Sequence, residues 1–131
     1  MRLIALLFLP LCAAAQPSFE WEESEYDFGK IEMGVPVTHT FHFINNGKDD
    51  LVISRIITSC ACTTAEWPKQ PIPPGGHGSI TASYSAIYFG NFRKLFILAA
   101  NVPSSLVSVK LKGEVVRKAM LPKNRTTATR Q

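Results

Sequence analysis

The sequence predicts an all-β fold, a single two-layered sandwich of about seven short strands. Two observations lead to this prediction: apolar and polar residues alternate with a period of two in several segments, and turn-forming residues separate those segments. After residue 15, no long stretch repeats apolar residues at the helical spacing i, i+3, i+4, i+7. The pattern therefore favours a sandwich over helical and alternating βαβ folds.

The clearest strand covers residues 35–45, where Val37, His39, Phe41 and Phe43 share one face. An Asn-Asn-Gly turn follows, because these residues accept a positive φ at little cost. The other expected strands cover residues 19–21, 26–28, 51–58, 78–85, 92–100 and 106–116. Since consecutive strands usually pair as antiparallel neighbours, the expected architecture is an immunoglobulin-like Greek-key sandwich.

Residues 1–15 differ from the rest of the chain and match a cleaved secretory signal peptide. Arg2 precedes an apolar run, and three alanines before Gln16 provide the small residues that signal peptidase requires. The run is too short for a transmembrane span, which needs about 20 apolar residues. We therefore expect export to the periplasm or the cell exterior. The alternative is a lipoprotein acylated on Cys12, although Leu11 stands where a small residue is usual.

The basic charge of the chain, formally +4, is concentrated in residues 117–131. Of the 14 Lys and Arg residues, Arg2 lies in the signal segment and five lie in 117–131; the remaining eight share residues 16–116 with all 10 acidic residues. We expect 16–116 to form the domain and 117–131 a disordered, polar tail. The domain has no basic stripe interleaved with aromatic residues, so no nucleic-acid partner is expected.

Residues 59–78 interrupt the alternation, and a functional site is expected here. Four prolines in this segment cannot donate hydrogen bonds to a sheet, so most of it should cross the sandwich as extended or polyproline II chain. Trp67 is the candidate partner contact, because Trp is enriched where interfaces concentrate binding energy. The alternative is that its ring packs over the end of the core.

Three roles are open for Cys60 and Cys62, the two cysteines outside the signal segment. They can be structural, either reduced or joined as a disulfide, which an oxidising compartment favours. A disulfide between residues two apart can also exchange with other thiols as a redox site. Alternatively, two thiolates suit a soft metal ion such as Cu(I), with His77 as a third ligand. The incomplete ligand set favours the structural role, and no cofactor is expected.

No arrangement of a nucleophile with a nearby base stands out in the sequence, so an enzyme is not expected. The residues predict an exported, non-enzymatic binding or scaffolding module of the cell envelope, whose partner is a protein or an envelope component. The alternative is a thiol-based copper-binding or redox protein that uses the C-x-C pair.

Two groups of motifs carry a family resemblance. Y-D-F-G-K-I at residues 26–31 and V-x-H-x-F-x-F-x-N-x-G at 37–47 resemble the opening of immunoglobulin-like domains of the Hydin and abnormal-spindle (ASH) class. S-C-A-C-T at 59–63 and P-I-P-P-G at 71–75 are similar to a bacterial branch, the domain-of-unknown-function family fifteen-seventy-three, common in exported proteins of Bacteroidetes. That family usually has Gly where this chain has Ala61. The resemblance covers about residues 19–116 and implies a fold and export, but no activity.

Overall fold

The computed structural model of the protein describes residues 16–104 and 106–121. Eight strands in this part of the chain form two sheets of four strands each. The strands are β1 (Phe19–Trp21), β2 (Glu25–Glu32), β3 (Val37–Asn45), β4 (Ile53–Thr58), β5 (Thr63–Glu66), β6 (His77–Tyr84), β7 (Gly90–Ala100) and β8 (Leu106–Val116), and a short 3-10 helix spans Lys118–Met120. The signal peptide expected at residues 1–15 and the tail beyond Leu121 lie outside the described residues.

Sheet 1 has the strand order β1-β3-β6-β5 and sheet 2 has the order β2-β8-β7-β4. All neighbouring strands are antiparallel except β2 and β8, which are parallel. The chain crosses between the sheets after β1, β2, β3, β4 and β6. This connectivity confirms the predicted immunoglobulin-like sandwich. Within the described ranges, no helix has the length and apolar character needed to cross a lipid bilayer.

The core lies between the two sheets and follows the predicted alternation. On β3, Phe41 and Phe43 are buried, and on β6 every second residue from Ile80 to Tyr84 is buried. Sheet 2 contributes inward-facing residues from β7 and β8, namely Phe92, Phe96, Leu98, Val109, Leu111 and Val115. Each of these residues is apolar or aromatic, so the two inner faces form one continuous core.

The expected number of strands is one too low, because residues 59–78 contain the short strand β5. Its residues Thr63–Glu66 pair with β6, from Tyr84 to Thr81. Four residues are too few to show a convincing period of two, although the β-branched pair Thr63-Thr64 suits a strand. Strand β2 is also longer than expected, because Gly29, at φ +67°, lies in a bulge that interrupts its alternation.

Asn45 closes one end of the sandwich and is completely buried. Its side-chain oxygen accepts hydrogen bonds from the backbone amides of Ser18 (3.2 Å) and Gly47 (3.0 Å). Its amide nitrogen donates to the carbonyl oxygens of Asp49 (2.7 Å) and Ile72 (2.9 Å). One side chain therefore joins the N-terminal segment, the β3–β4 turn and the proline-rich segment. The opposite end of the sandwich instead exposes large hydrophobic side chains.

Candidate functional site

Large hydrophobic side chains are exposed at the end of the sandwich opposite Asn45. In the described part of the chain eight such side chains are exposed, and six of them belong to this end. They are Met33, Val35, Ile87, Tyr88, Phe89 and Met120, and we call these six residues the apolar end. The other two, Val52 and Ile57, lie at strand β4.

The apolar end is assembled from three chain segments that the sheets bring together. These are the β2–β3 turn, the β6–β7 loop and the residues after β8. The backbone amide of Gly34 donates to the carbonyl oxygen of Ala86 (2.9 Å), which joins the turn to the loop. The amide of Met33 donates to the carbonyl oxygen of Val116 (3.0 Å). Because these bonds connect all three segments, the exposed side chains lie at the same end of the sandwich.

Three residues with positive φ angles shape this surface: Gly34, Ala86 and Gly90, which follows Phe89. Gly34, at φ +80°, occupies the turn that the amide of Val35 closes by donating to the carbonyl oxygen of Glu32. Ala86, at φ +55°, directly precedes the exposed loop tip. A left-handed conformation costs a non-glycine residue about 1–2 kcal/mol, and the complete burial of Ala86 holds it there. Strain maintained by the surrounding structure is a feature of functional sites.

The loop tip that follows Ala86 is strongly exposed: 65% of Tyr88 and 54% of Phe89 are accessible. The guanidinium carbon of Arg117 lies 5.6 Å from the centre of the Phe89 ring, so a cation borders the apolar surface. Beneath the tip, burial raises the pKa of Tyr84, with the nearby Tyr88 as a smaller cause.

Cys60 and Cys62 are joined by a disulfide in the turn between β4 and β5, with their Cα atoms 5.2 Å apart. The carbonyl oxygen of Cys60 accepts a hydrogen bond from the Thr63 hydroxyl (2.7 Å). That of Cys62 accepts one from the amide of Ser85 (2.9 Å), next to Ala86. The disulfide turn thus lies beside the β6–β7 loop at the edge of the sandwich.

The structure does not bring His77 to the cysteines. His77 begins β6 and lies opposite Ile44, whereas the cysteine turn contacts the other end of the same strand, beyond Tyr84. Among residues 16–104 and 106–121, no group of three or more His, Cys, Asp or Glu side chains is arranged to hold a metal ion. The structure therefore does not bring together the three residues of the alternative metal site.

Trp67 follows β5, and its half-buried ring packs against the hydrophobic core. The ammonium group of Lys69 lies over the same ring. The contact agrees with the alternative for Trp67, in which its ring packs over the core. The aromatic residues that project from the protein are instead Tyr88 and Phe89.

Sequence reasoning did not identify the apolar end. In the sequence alone, the segment between the strands expected at 78–85 and 92–100 is only a connection between them. A signal was nevertheless present, since Ile87-Tyr88-Phe89 places three large apolar residues before Gly90, where a strand connection is usually polar. Met33 and Val35 gave no such signal, because their proximity to the loop depends on the fold.

Comparison with known families identifies the chain's relatives. Residues 19–115 match the family described as "Protein of unknown function (DUF1573)". The chain belongs to this family. No curated protein matches its sequence. The match covers nearly the whole sandwich, from the start of β1 to the next-to-last residue of β8, and it includes Cys60 and Cys62.

Solved structures show the same fold. A protein of unknown function from Porphyromonas gingivalis W83 is 22% identical to this chain, with a TM-score of 0.68. The match covers 82% of this chain and 51% of that protein. This chain thus spans about half the length of that protein. The ASH/PapD-like domain 7 of human CEP192 is 10% identical with a TM-score of 0.64, covering 89% of this chain and 98% of that domain. The Vibrio cholerae VesB protease is 15% identical to this chain, with a TM-score of 0.62. The match covers 76% of this chain and 32% of the protease.

Proposed function

We propose that this protein is an exported, non-enzymatic binding module of the cell envelope, and that its partner binds to the apolar end. The observation that carries the proposal is the concentration of six exposed apolar side chains at one end of the sandwich. Soluble proteins rarely leave contiguous apolar patches exposed unless they serve an interaction. Export is supported by the signal-like residues 1–15.

The loop tip has the side chains needed for useful binding energy. Burying an aliphatic or aromatic side chain stabilises a complex by about 1.5–3 kcal/mol. Ile87 and Phe89 project from a loop whose start is fixed by the buried Ala86 and by the hydrogen bond from Gly34. Because the loop is already held in place, little conformational entropy is lost when it binds.

A binding assay with isolated envelope fractions tests the proposal. Mature protein (residues 16–131) is incubated with total envelope, and the bound fraction is measured after sedimentation. We expect the double substitution Ile87→Ser and Phe89→Ser to weaken binding at least about tenfold, since two buried apolar contacts are lost. The matched control is Val52→Ser with Ile57→Ser, which removes two exposed apolar side chains at β4 instead.

The control variant should bind like the wild type, and all three proteins should unfold at similar temperatures. Unchanged binding by the loop-tip variant would contradict the proposal. So would a loss of binding confined to the β4 variant, because the partner would then occupy the edge of sheet 2.

A second candidate function, thiol–disulfide exchange, is favoured by the Cys60–Cys62 bond itself. The ring closes over a single intervening residue, and neither cysteine is fully buried. In such an exchange a partner protein's dithiol would be oxidised while Cys60 and Cys62 gained the two electrons and became thiols. Equilibration with reduced and oxidised glutathione tests this function: a redox protein should have a potential well above about −300 mV, the usual upper limit for structural disulfides.

A further inference from the structure

Two exposed basic residues lie directly beside the apolar end. Arg117 and Lys118 follow β8 directly, and both are exposed; we call these two residues the basic rim. The nearest acidic residues are Glu32, at the end of β2, and Glu114, opposite Asn91 on β7. The other eight acidic residues lie farther along the strands or towards the opposite end: Glu20, Glu22, Glu23, Glu25, Asp27, Asp49, Asp50 and Glu66.

The sequence continues with further basic residues after this rim. After Glu114 it contains five bases and no acid. Two of these bases form the basic rim, and the other three follow Leu121. A surface that is apolar at its tip and basic at its border matches the boundary between lipid tails and anionic headgroups.

The exposed apolar side chains belong to a turn, a loop and the short helix after β8. Two clefts of the described surface are not lined by any of the six residues, one on the outer face of sheet 2 around Lys30 and Arg93, the other beside Phe19 and Val102. A protein partner would need a pocket complementary to the projecting Tyr88 and Phe89, whereas a bilayer interface accepts such side chains without one. Tyr in particular favours the headgroup level, where its ring is apolar and its hydroxyl remains hydrated.

We propose that the apolar end docks on an anionic lipid surface. Ile87 and Phe89 would enter the acyl boundary, Tyr88 would lie among the headgroups, and Arg117 and Lys118 would contact lipid phosphates. This inference rests on the proposed function and names its partner. Each Lys or Arg near an anionic membrane contributes about a fivefold gain in affinity, so the apolar and basic groups act together.

Vesicle flotation tests the inference directly. Mature protein is mixed with vesicles of pure phosphatidylcholine or with vesicles that contain phosphatidylglycerol, and the floated fraction is measured. We expect the wild type to prefer the anionic vesicles by at least about tenfold, and the preference to weaken when ionic strength rises from about 0.05 to about 0.5 M. Arg117→Glu with Lys118→Glu should abolish the preference.

The apolar contribution is tested separately. The variant with Ile87→Ser and Phe89→Ser should bind anionic vesicles at least about tenfold more weakly, whereas Val52→Ser with Ile57→Ser should bind like the wild type. In addition, a Phe89→Trp protein should show blue-shifted emission, and quenching by brominated lipids, in excess of the signal from the partly buried native tryptophans.

Failure of the inference is distinguishable from failure of the proposed function. If no variant and no wild-type protein floats with vesicles, but the loop-tip substitutions still abolish envelope binding, the partner is a protein and the lipid proposal is overturned alone. Equal flotation of the wild type and the loop-tip variant also overturns it. If envelope binding does not depend on the loop tip either, both proposals are wrong.

Discussion

The amide of Gly34 donates a hydrogen bond of 2.9 Å to the carbonyl oxygen of Ala86, and both residues have positive φ angles. Through this bond, the turn after β2 supports the loop after β6, although 52 positions separate the two residues. The exposed residues on either side, Val35 and Ile87, are thereby held on one surface. The shape of the apolar end therefore depends on two small residues that are not themselves exposed hydrophobics.

Replacing Gly34 should affect this arrangement through the backbone alone. A Cβ atom at Gly34 would meet nothing within 4 Å, so the cost of Gly34→Ala comes from its φ of +80° and should be about 1–2 kcal/mol. Gly34→Asn should cost less, because Asn tolerates this conformation better. Gly78→Ala should be more destabilising than either, since its Cβ would lie 2.4 Å from Phe43. Urea unfolding measures all three, and an equal cost for Ala and Asn at position 34 would contradict the argument.

Substitution of Asn45 should destabilise the opposite end. Asn45→Ala removes four side-chain hydrogen bonds and should lower the free energy of unfolding by about 2–4 kcal/mol. Asn45→Asp should be at least as damaging, because a buried carboxylate would face the carbonyl oxygens of Asp49 and Ile72. The exposed neighbour Asn46→Ala provides the control. Thermal or urea unfolding decides the matter, and losses below about 1 kcal/mol for both Asn45 variants would show that the amide is not a structural hub.

The disulfide should add little stability. Replacing Cys60 and Cys62 by Ser should cost at most about 2 kcal/mol, because a ring closed between residues two apart restrains little of the unfolded chain. Urea unfolding of the wild type with and without a reducing agent should give the same small difference. Envelope binding should survive the double substitution. A variant that is well folded but no longer functions would instead favour thiol–disulfide exchange.

Stability should fall in acid partly because of Glu25. Its carboxylate lies 2.8 Å from the Lys112 ammonium, and this hydrogen bond, with the positive charges of Lys112, Arg93 and Lys110, holds the pKa of Glu25 below its usual 4.5. Since the folded-state pKa is the lower one, the stabilisation is present above the unfolded-state pKa and is lost as pH falls through the folded value.

Unfolding experiments between about pH 7 and pH 3 test this assignment, a window that spans the ordinary Glu pKa. Glu25→Gln should be less stable than the wild type at neutral pH, and the difference should disappear in acid. Lys112→Met should weaken the dependence of stability on pH over the same range. Adding Glu25→Gln to Lys112→Met should cause no further loss of stability. A difference between Glu25→Gln and the wild type that persisted unchanged in acid would reject the ion pair as its cause.

The sequence could predict those parts of the fold that depend on local alternation. Ile80, Ala82 and Tyr84 recur at every second residue, so the sequence alone predicts that their side chains face the core. Strand β5 cannot be predicted in this way, because its four residues form a strand only by pairing with β6. The apolar end was harder still, since Met33 and Phe89 become neighbouring parts of one surface only when the turn, the loop and the end of β8 meet. Exposure is a property of the assembled sandwich, which hydrophobicity along the chain does not reveal.

Site-specific photocrosslinking tests the central claim, that the apolar end is the binding surface, most directly. A photoreactive residue is placed at Phe89 in one protein and at Ile57 in another, two exposed apolar positions on different parts of the sandwich. After irradiation in intact cell envelopes, the adducts are separated and their masses are measured. A binding surface at the apolar end predicts adducts, with lipid or protein, from position 89 and none from position 57. Adducts from position 57 and none from position 89 would contradict it.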